Sequence, residues 1–145
     1  MSSTSTVNKE IIAHDFLVSV HDKLDKDKID AAVKSISATT SKYFAEGSVT
    51  SYAFYLKFEV NIDNGKSFDG KAGGLSSPGV GALFGDIYTD DLNRLYANTV
   101  SFQFNATLVY LNINFFDKHS NFLGHFQSGG ISTVLGTGGG SGSWS

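Results

Sequence analysis

The chain has no cysteine, no long apolar run and only one proline. The first two absences each exclude a class of protein. Without cysteine, the chain cannot form disulfides, use a thiol in catalysis or bind metal through thiolates. No stretch approaches the roughly 20 apolar residues of a membrane-spanning helix, and the first residues lack the apolar segment of a signal peptide. We therefore expect either a cytosolic protein or the mature form of an exported one.

Basic residues are scarce over the last two thirds of the chain, and the formal net charge is −3. A nucleic-acid-binding protein needs a clustered basic face to displace the counterions of the phosphates, so we expect no nucleic-acid partner. Charging all four histidines would bring the net charge to +1, and the chain would change sign in an acidic compartment. Any association with membranes should therefore be stronger near pH 5 than at pH 7.

Phenylalanine and glycine are abundant instead, with 12 Phe and 16 Gly among 145 residues. Phenylalanine favours half-buried pleated surfaces, and glycine inside a strand marks a bulge or a sharp bend. A chain of this length fits one domain that buries roughly two thirds of its unfolded surface. The composition therefore predicts a single β-rich domain.

The first third of the chain predicts a tail and one helix. Residues 1–20 show no sustained period, so we expect a flexible tail there and a single barrel domain over residues 21–145. Apolar residues such as Ile29 and Ile36 recur at helical spacing and predict a helix at about 25–44, ended by Gly47.

The remainder, from about residue 48 to residue 144, predicts strands. From Val49 to Ile62 every second residue is apolar, which is typical of one long strand with one buried face. Asn64 and Gly65 then favour a type I′ hairpin. Further alternation from Val100 and from Val109, with regularly spaced turn residues, brings the total to about eight strands. The fold class predicted is all-β, a closed eight-stranded antiparallel barrel with one α-helix.

The side chains predicted to face inward are bulky. An eight-stranded barrel is just wide enough to be filled by side chains, or to hold one small ligand where they are small. We therefore expect a filled barrel without a lipocalin-like cavity, and an inward set that includes Phe54, Phe58, Phe102, Phe104 and Phe115.

Motifs for catalysis or metal binding are weak. The glycines of 79–85 precede a predicted strand, whereas a dinucleotide fingerprint opens a helix. Asp86, Asp90 and Asp91 miss the spacing of a calcium loop, and the four histidines lack the paired spacing of a zinc site. We expect no catalytic residue, metal site or cofactor, although a carboxylate pair in a cleft would restore the alternative of an enzyme.

Four residues are candidates for surface contact. Tyr55, Tyr110 and Phe116 point outward by alternation, on strands whose other face is already apolar, and His119 lies in the turn after Phe116. Gathered, such aromatic residues would form a patch for lipid, ligand or a protein partner; scattered singly, they would have no such meaning. The predicted helix could also cover some of them.

Several exact sequence runs resemble one family. These are SSPGVGALFGDIYTDDLNRLY at 76–96, YLNINFF at 110–116, FLGH at 122–125 and the glycine-rich end that finishes at Trp144. They are similar to the C-terminal core of the virulence-associated (Vap) proteins secreted by pathogenic rhodococci. The resemblance covers residues 48–145.

The resemblance implies Greek-key connections in the barrel and secretion, with localisation at the bacterial surface or in the host phagosome. It also implies an effector that acts by binding, without catalysis, and interferes with phagosome maturation in the macrophage. The implied partner is a host membrane lipid or a host protein, and we expect a monomer. The alternative is a barrel protein that binds a small hydrophobic ligand or lipid.

Overall fold

The computed structural model describes residues 9–37, 41–52, 54–73 and 76–145. A helical hairpin precedes eight strands, and a third helix separates strands four and five. In chain order the elements are α1 (Lys9–Val20), α2 (Lys26–Ser37), β1 (Lys42–Ser51), β2 (Tyr55–Ile62), β3 (Ser67–Gly73), β4 (Gly79–Tyr88), α3 (Leu92–Asn98), β5 (Ser101–Ala106), β6 (Tyr110–Phe116), β7 (Phe122–Ser132) and β8 (Gly136–Trp144).

The eight strands form a closed antiparallel barrel in the order β1-β2-β3-β8-β5-β6-β7-β4. In each half of the barrel, three consecutive strands pair as a meander and the fourth returns beside the first, so β4 lies beside β1 and β8 beside β5. This is the arrangement of a Greek key. Closure leaves neither meander with an open edge. The predicted eight-stranded barrel is confirmed.

Aromatic rings fill the interior of the barrel. The ring of Phe58 lies 4.7 Å from that of Phe104, and Phe68 lies 5.0 Å from Phe115, measured between centroids. Close ring pairs of this kind stabilise a core beyond their buried area alone. Four of the five phenylalanines predicted to face inward are buried there, so the predicted filled interior is confirmed for them.

The last strand closes the barrel with almost no side chain of its own. β8 reads GTGGGSGSW and pairs with both β3 and β5. A Cβ on Gly140 would lie 1.9 Å from the carbonyl oxygen of Lys71, so only glycine allows this approach of the backbones. Trp144 then packs against Phe68 with its ring centroid 5.4 Å away.

In the part of the chain that the structure describes, three helices, rather than the one predicted, accompany the barrel. α1 occupies residues 9–20, where we expected a flexible tail; residues 1–8 lie outside the described residues. Its apolar residues surround the helix instead of forming one stripe, which hid the helical period. The second helix ends at Ser37 instead of near residue 44, and β1 begins at Lys42.

The segment predicted as one long strand is a hairpin. β1 ends at Ser51, the amide of Tyr52 donates to the carbonyl of Tyr55, and β2 begins there. Odd-numbered residues are buried in β1 and even-numbered residues in β2. The alternation of buried and exposed residues therefore shifts by one position at the turn. Phe54 consequently lies in the turn with 74% of its surface exposed, and its predicted inward position is wrong.

Three local predictions also need correction. Gly47 does not end a helix but lies within β1, where the ring of Phe126 packs against it. The turn at Asn64 has a positive φ at that residue alone, and not at Gly65 as a type I′ turn requires. Val109 lies outside β6 and is exposed, so the inward alternation begins at Leu111.

Within the described ranges, no helix is both long enough and apolar enough to cross a bilayer.

Candidate functional site

The outer face of β5, β6 and β7 is covered with amide side chains, which we call the amide face. Asn105 donates to Asn112 at 3.1 Å, and Asn114 donates to Gln103 at 2.8 Å. These groups are buried, and they satisfy most of their hydrogen bonds with one another or with strand carbonyls. The amide face consists of Gln103, Asn105, Asn112, Asn114 and Gln127.

The hairpin of α1 and α2 lies over this amide face. Its buried residues form a second apolar cluster, separate from the barrel interior, to which β6 contributes Phe116. Direct polar links between the two layers are few: Gln103 donates to Ser19 at 2.9 Å, and the hydroxyl of Tyr110 donates to Asp15. The hairpin thus places apolar side chains on a polar surface.

Two of the predicted contact residues lie beneath the hairpin. Phe116 is 5% exposed and stacks on Phe16, with 6.2 Å between ring centroids. Tyr110 is half-buried; burial raises the pKa of its hydroxyl, and the hydrogen bond to Asp15 raises that pKa further. Both side chains point away from the barrel interior, as predicted, but the hairpin covers them.

The other two predicted contact residues lie at opposite ends of the barrel. Tyr55 is exposed at the β1–β2 turn and stacks on Tyr52, with 4.7 Å between centroids. His119 is exposed in the β6–β7 turn. The structure therefore does not gather Tyr55, Tyr110, Phe116 and His119 into one patch.

The turn that carries His119 is organised by Asp117. Its carboxylate accepts hydrogen bonds from the amide of His119 and the amide of Asn121, both at 2.9 Å, and from the side chain of Asn121. Partial burial alone would raise the pKa of Asp117, but these hydrogen bonds outweigh it and hold the pKa below its usual range. The turn therefore depends on an ionised carboxylate.

Large apolar side chains are exposed together at one end of the barrel. Four connections meet there, those of β1–β2, β3–β4, β5–β6 and β7–β8. Ile131 is 84% exposed and Val109 is 68% exposed. We call this surface the apolar end; it consists of Tyr52, Phe54, Tyr55, Val80, Leu108, Val109, Ile131 and Leu135.

Backbone hydrogen bonds join the connections of the apolar end. The amide of Thr133 donates to the carbonyl of Val80 at 3.1 Å, and the amide of Ser132 donates to the carbonyl of Leu108 at 3.4 Å. The hydroxyl of Ser77 accepts from the amide of Leu135 at 2.9 Å. Three of the four connections, those of β3–β4, β5–β6 and β7–β8, are therefore held together by hydrogen bonds.

The two ends of the barrel differ in charge. The described residues of the connections at the apolar end, 52, 54, 76–78, 107–109 and 133–135, include no Asp, Glu, Lys or Arg. The opposite end carries charged side chains on its turns and on α3: Asp63, Lys66, Asp90, Arg94, Asp117 and Lys118. This difference in charge between the two ends was not predicted from the sequence, although the lack of charge in these four connections could have revealed it.

The acidic residues considered for metal binding or catalysis have structural surroundings. Asp86 is buried in β4, and Asp91 caps α3 by accepting from the amide of Arg94 at 3.0 Å. Among the described residues, no group of three or more potential ligands could hold a metal ion.

The histidines are likewise dispersed. His14, His21 and His119 are exposed on different elements. His125 is buried beside Gln127, at 3.2 Å between the two side-chain nitrogens, and its ring stacks on Tyr88. The four histidines are therefore not brought together in one site.

Comparisons with known proteins agree with one another. The family model described as "Rhodococcus equi virulence-associated protein" matches residues 2–145. The structure of the virulence-associated protein VapB from Rhodococcus equi is 55% identical to the chain, with a TM-score of 0.68, and the match covers 72% of this chain and 96% of that one. The structure of VapD from the same organism is 44% identical, with a TM-score of 0.70 and coverages of 72% and 97%. A search of curated protein sequences finds no match.

Proposed function

We propose, because the chain belongs to the Rhodococcus equi virulence-associated protein family, that it is a secreted effector that acts by binding in the macrophage phagosome. There it interferes with phagosome maturation, without catalysis, through contact with a host membrane lipid or a host protein. Family membership supports the role in virulence. The contact itself would be made by residues on the molecular surface.

The observation that carries the proposal is the filled barrel. The interior is occupied by its own aromatic rings, including Phe58, Phe68, Phe102 and Phe104. A binding or catalytic site usually needs a concave pocket with a few convergent polar groups. Because the interior of this barrel is filled by its own side chains, the structure favours contact through the outer surface.

Protein-coated beads taken up by macrophages would test this function. We expect phagosomes around beads that carry the folded chain to acidify less, and to acquire less lysosomal marker, than phagosomes around bare beads. Beads coated with a chain that lacks residues 139–145, which cannot close the barrel, provide the control. Equal acidification around all three kinds of bead would contradict the proposal.

The acidity of the phagosome bears on any contact with anionic lipid. Charging all four histidines would bring the formal net charge from −3 to +1. We expect stronger co-sedimentation with anionic vesicles at pH 5 than at pH 7, since repulsion is removed; equal partitioning would contradict this.

A second candidate function is the binding of a small hydrophobic ligand. A cleft of about 180 Å³ between α1 and the barrel is lined by apolar side chains that include Val20, Leu24, Phe102 and Phe116. This volume is below the roughly 300 Å³ at which ligand pockets begin, so only a small molecule would fit. Saturable binding of a fluorescent short-chain lipid, abolished by Val20→Trp, would support it.

A further inference from the structure

We propose that the apolar end of the barrel inserts into the headgroup region of a lipid bilayer, with the charged end directed away from the membrane. The proposal rests on the function proposed above, action by binding, and assigns that binding to one surface. It begins from the convergence of four separate connections on a single apolar surface.

The apolar side chains are concentrated and not scattered. Of the fourteen large apolar residues exposed in the described part of the chain, eight belong to the apolar end. Single exposed apolar residues are normal on any protein, but a contiguous group marks a surface that contacts another molecule or a membrane. The distribution therefore requires an occupant for this end.

The absence of charge favours lipid as that occupant. Ionised side chains are costly to move into a bilayer, and the four connections contain none. Surfaces that bind proteins are, by contrast, enriched in tryptophan, tyrosine and arginine at the residues that dominate affinity, and of these three the apolar end has only tyrosine, at Tyr52 and Tyr55. The chain's one arginine and one tryptophan both lie elsewhere, at Arg94 in α3 and at Trp144.

Several backbone amides of the apolar end also have hydrogen-bond partners within the protein, which matters because lipid chains offer none. Backbone groups that enter lipid must be satisfied within the protein. Here the amide of Tyr52 donates to Tyr55 within one connection, while the amides of Ser132 and Thr133 donate to the carbonyls of Leu108 and Val80 across connections. These three amides can thus approach the bilayer with their hydrogen bonds already formed within the protein.

The stacked rings of Tyr52 and Tyr55 fit the position where the protein would cross from lipid to water. Tyrosine has an apolar ring and a polar hydroxyl, and it is enriched where a protein passes through the headgroup level. Apolar residues of peripheral proteins reach about 5–10 Å into this region. With charged turns at the opposite end of the barrel, the molecule would stand with its axis roughly along the membrane normal.

Because the chain has no cysteine, single labels can test this orientation. Ile131→Cys and Lys118→Cys, each carrying an environment-sensitive fluorophore, report the apolar end and the charged end respectively. With vesicles of pure phosphatidylcholine we expect a blue shift, and quenching by nitroxide-labelled lipids, for the label at 131 only. A response at 118 alone, or at neither position, would overturn the proposal.

A pair of matched substitutions tests the same surface without a label. Val109→Asp together with Ile131→Asp should reduce binding to phosphatidylcholine vesicles at least tenfold, because a buried carboxylate opposes insertion. Val100→Asp makes the same change at an exposed valine near the charged end and should leave binding unchanged. All these side chains are exposed, so unaltered melting temperatures would show that folding is preserved. Equal loss in both proteins would overturn the proposal.

Three further outcomes separate this proposal from the alternatives. Concentration-dependent dimerisation in the absence of vesicles, abolished by Val109→Asp with Ile131→Asp, would assign the apolar end to a second copy of the chain and overturn insertion. If the bead assay succeeds and no vesicle binding is found, the function proposed above stands with a protein partner and the lipid surface is wrong. If the labels insert but phagosomes acidify normally, insertion stands and the proposed function is wrong.

Discussion

The barrel interior and the layer beneath the helical hairpin bury apolar side chains in different ways. The interior cluster contains 21 buried residues drawn from all eight strands, together with a residue of α3 and one of the last loop. The hairpin cluster contains eight, seven of them on the two helices and only Phe116 on the barrel. The difference teaches that the hairpin buries mostly its own apolar residues and few of the barrel's, whereas every strand contributes to one shared core.

The amide face explains why the two regions can be independent. Its side chains form most of their hydrogen bonds with one another and with strand carbonyls, so few of them rely on a helix for a partner. Buried polar groups are costly only when they lose their partners without gaining water. If the hairpin left, water would solvate the amide face, and the barrel would keep its interior.

The largest effect should come from removing the closing strand. Deletion of residues 139–145 removes the pairing of β8 with β3 and β5 and withdraws Trp144 from the core. We expect the loss of cooperative thermal unfolding, measured by near-ultraviolet circular dichroism. Deletion of residues 1–37, which removes the hairpin but no strand, should by contrast leave one cooperative transition. A clean melt in the first protein, or none in the second, would contradict the comparison.

Two phenylalanine truncations should separate the clusters more finely. Phe68 and Phe16 are both fully buried, but the ring of Phe68 contacts Phe102, Phe115 and Trp144 within the barrel. We expect Phe68→Ala to lower the free energy of unfolding by about 3–5 kcal/mol, measured in urea. Phe16→Ala should change barrel unfolding by less than about 1 kcal/mol and should instead speed hydrogen exchange in the two helices. Equal losses of barrel stability would show one cooperative core.

The smallest effect should come from the β6–β7 turn, which the carboxylate of Asp117 organises. Because the pKa of Asp117 is lower in the folded protein, its contribution to stability is full above the unfolded pKa of about 3.9 and is lost as pH falls through the folded value. Since the group is partly solvated, we expect Asp117→Asn to cost about 1 kcal/mol or less at pH 7 and at pH 5. The difference from the unmodified protein should shrink as the pH falls below about 3.9, as measured by urea unfolding. A difference that grows on acidification would contradict this account.

The barrel was predictable because alternation survives wherever a strand has one apolar face. In β5 and β6 the inward residues Phe102, Phe104 and Phe115 follow the period of two without interruption. The alternation misled where it ran through a turn, since nothing in the composition of residues 52–54 distinguishes a turn from a strand. Phe54 was assigned to the wrong place for this reason.

The surfaces were less predictable, because they depend on which distant segments meet. The outward direction of Tyr110 and Phe116 follows from alternation, but their burial depends on a helix about 100 residues earlier in the chain. The apolar end likewise combines four connections that are distant in sequence. Alternation gives the direction of a side chain, but only the topology of the barrel shows what lies in that direction.

The position of β8 as the last of the eight strands has a consequence for biosynthesis. The ribosome makes this strand after the other seven, so β3 and β5 have no partner on one side for as long as the nascent chain ends before residue 136. Open strand edges can pair with other chains, and an incomplete barrel leaves the rings of Phe68 and Phe104 without the β8 glycines that pack against them. The barrel can therefore close only after residues 136–144 have left the ribosome.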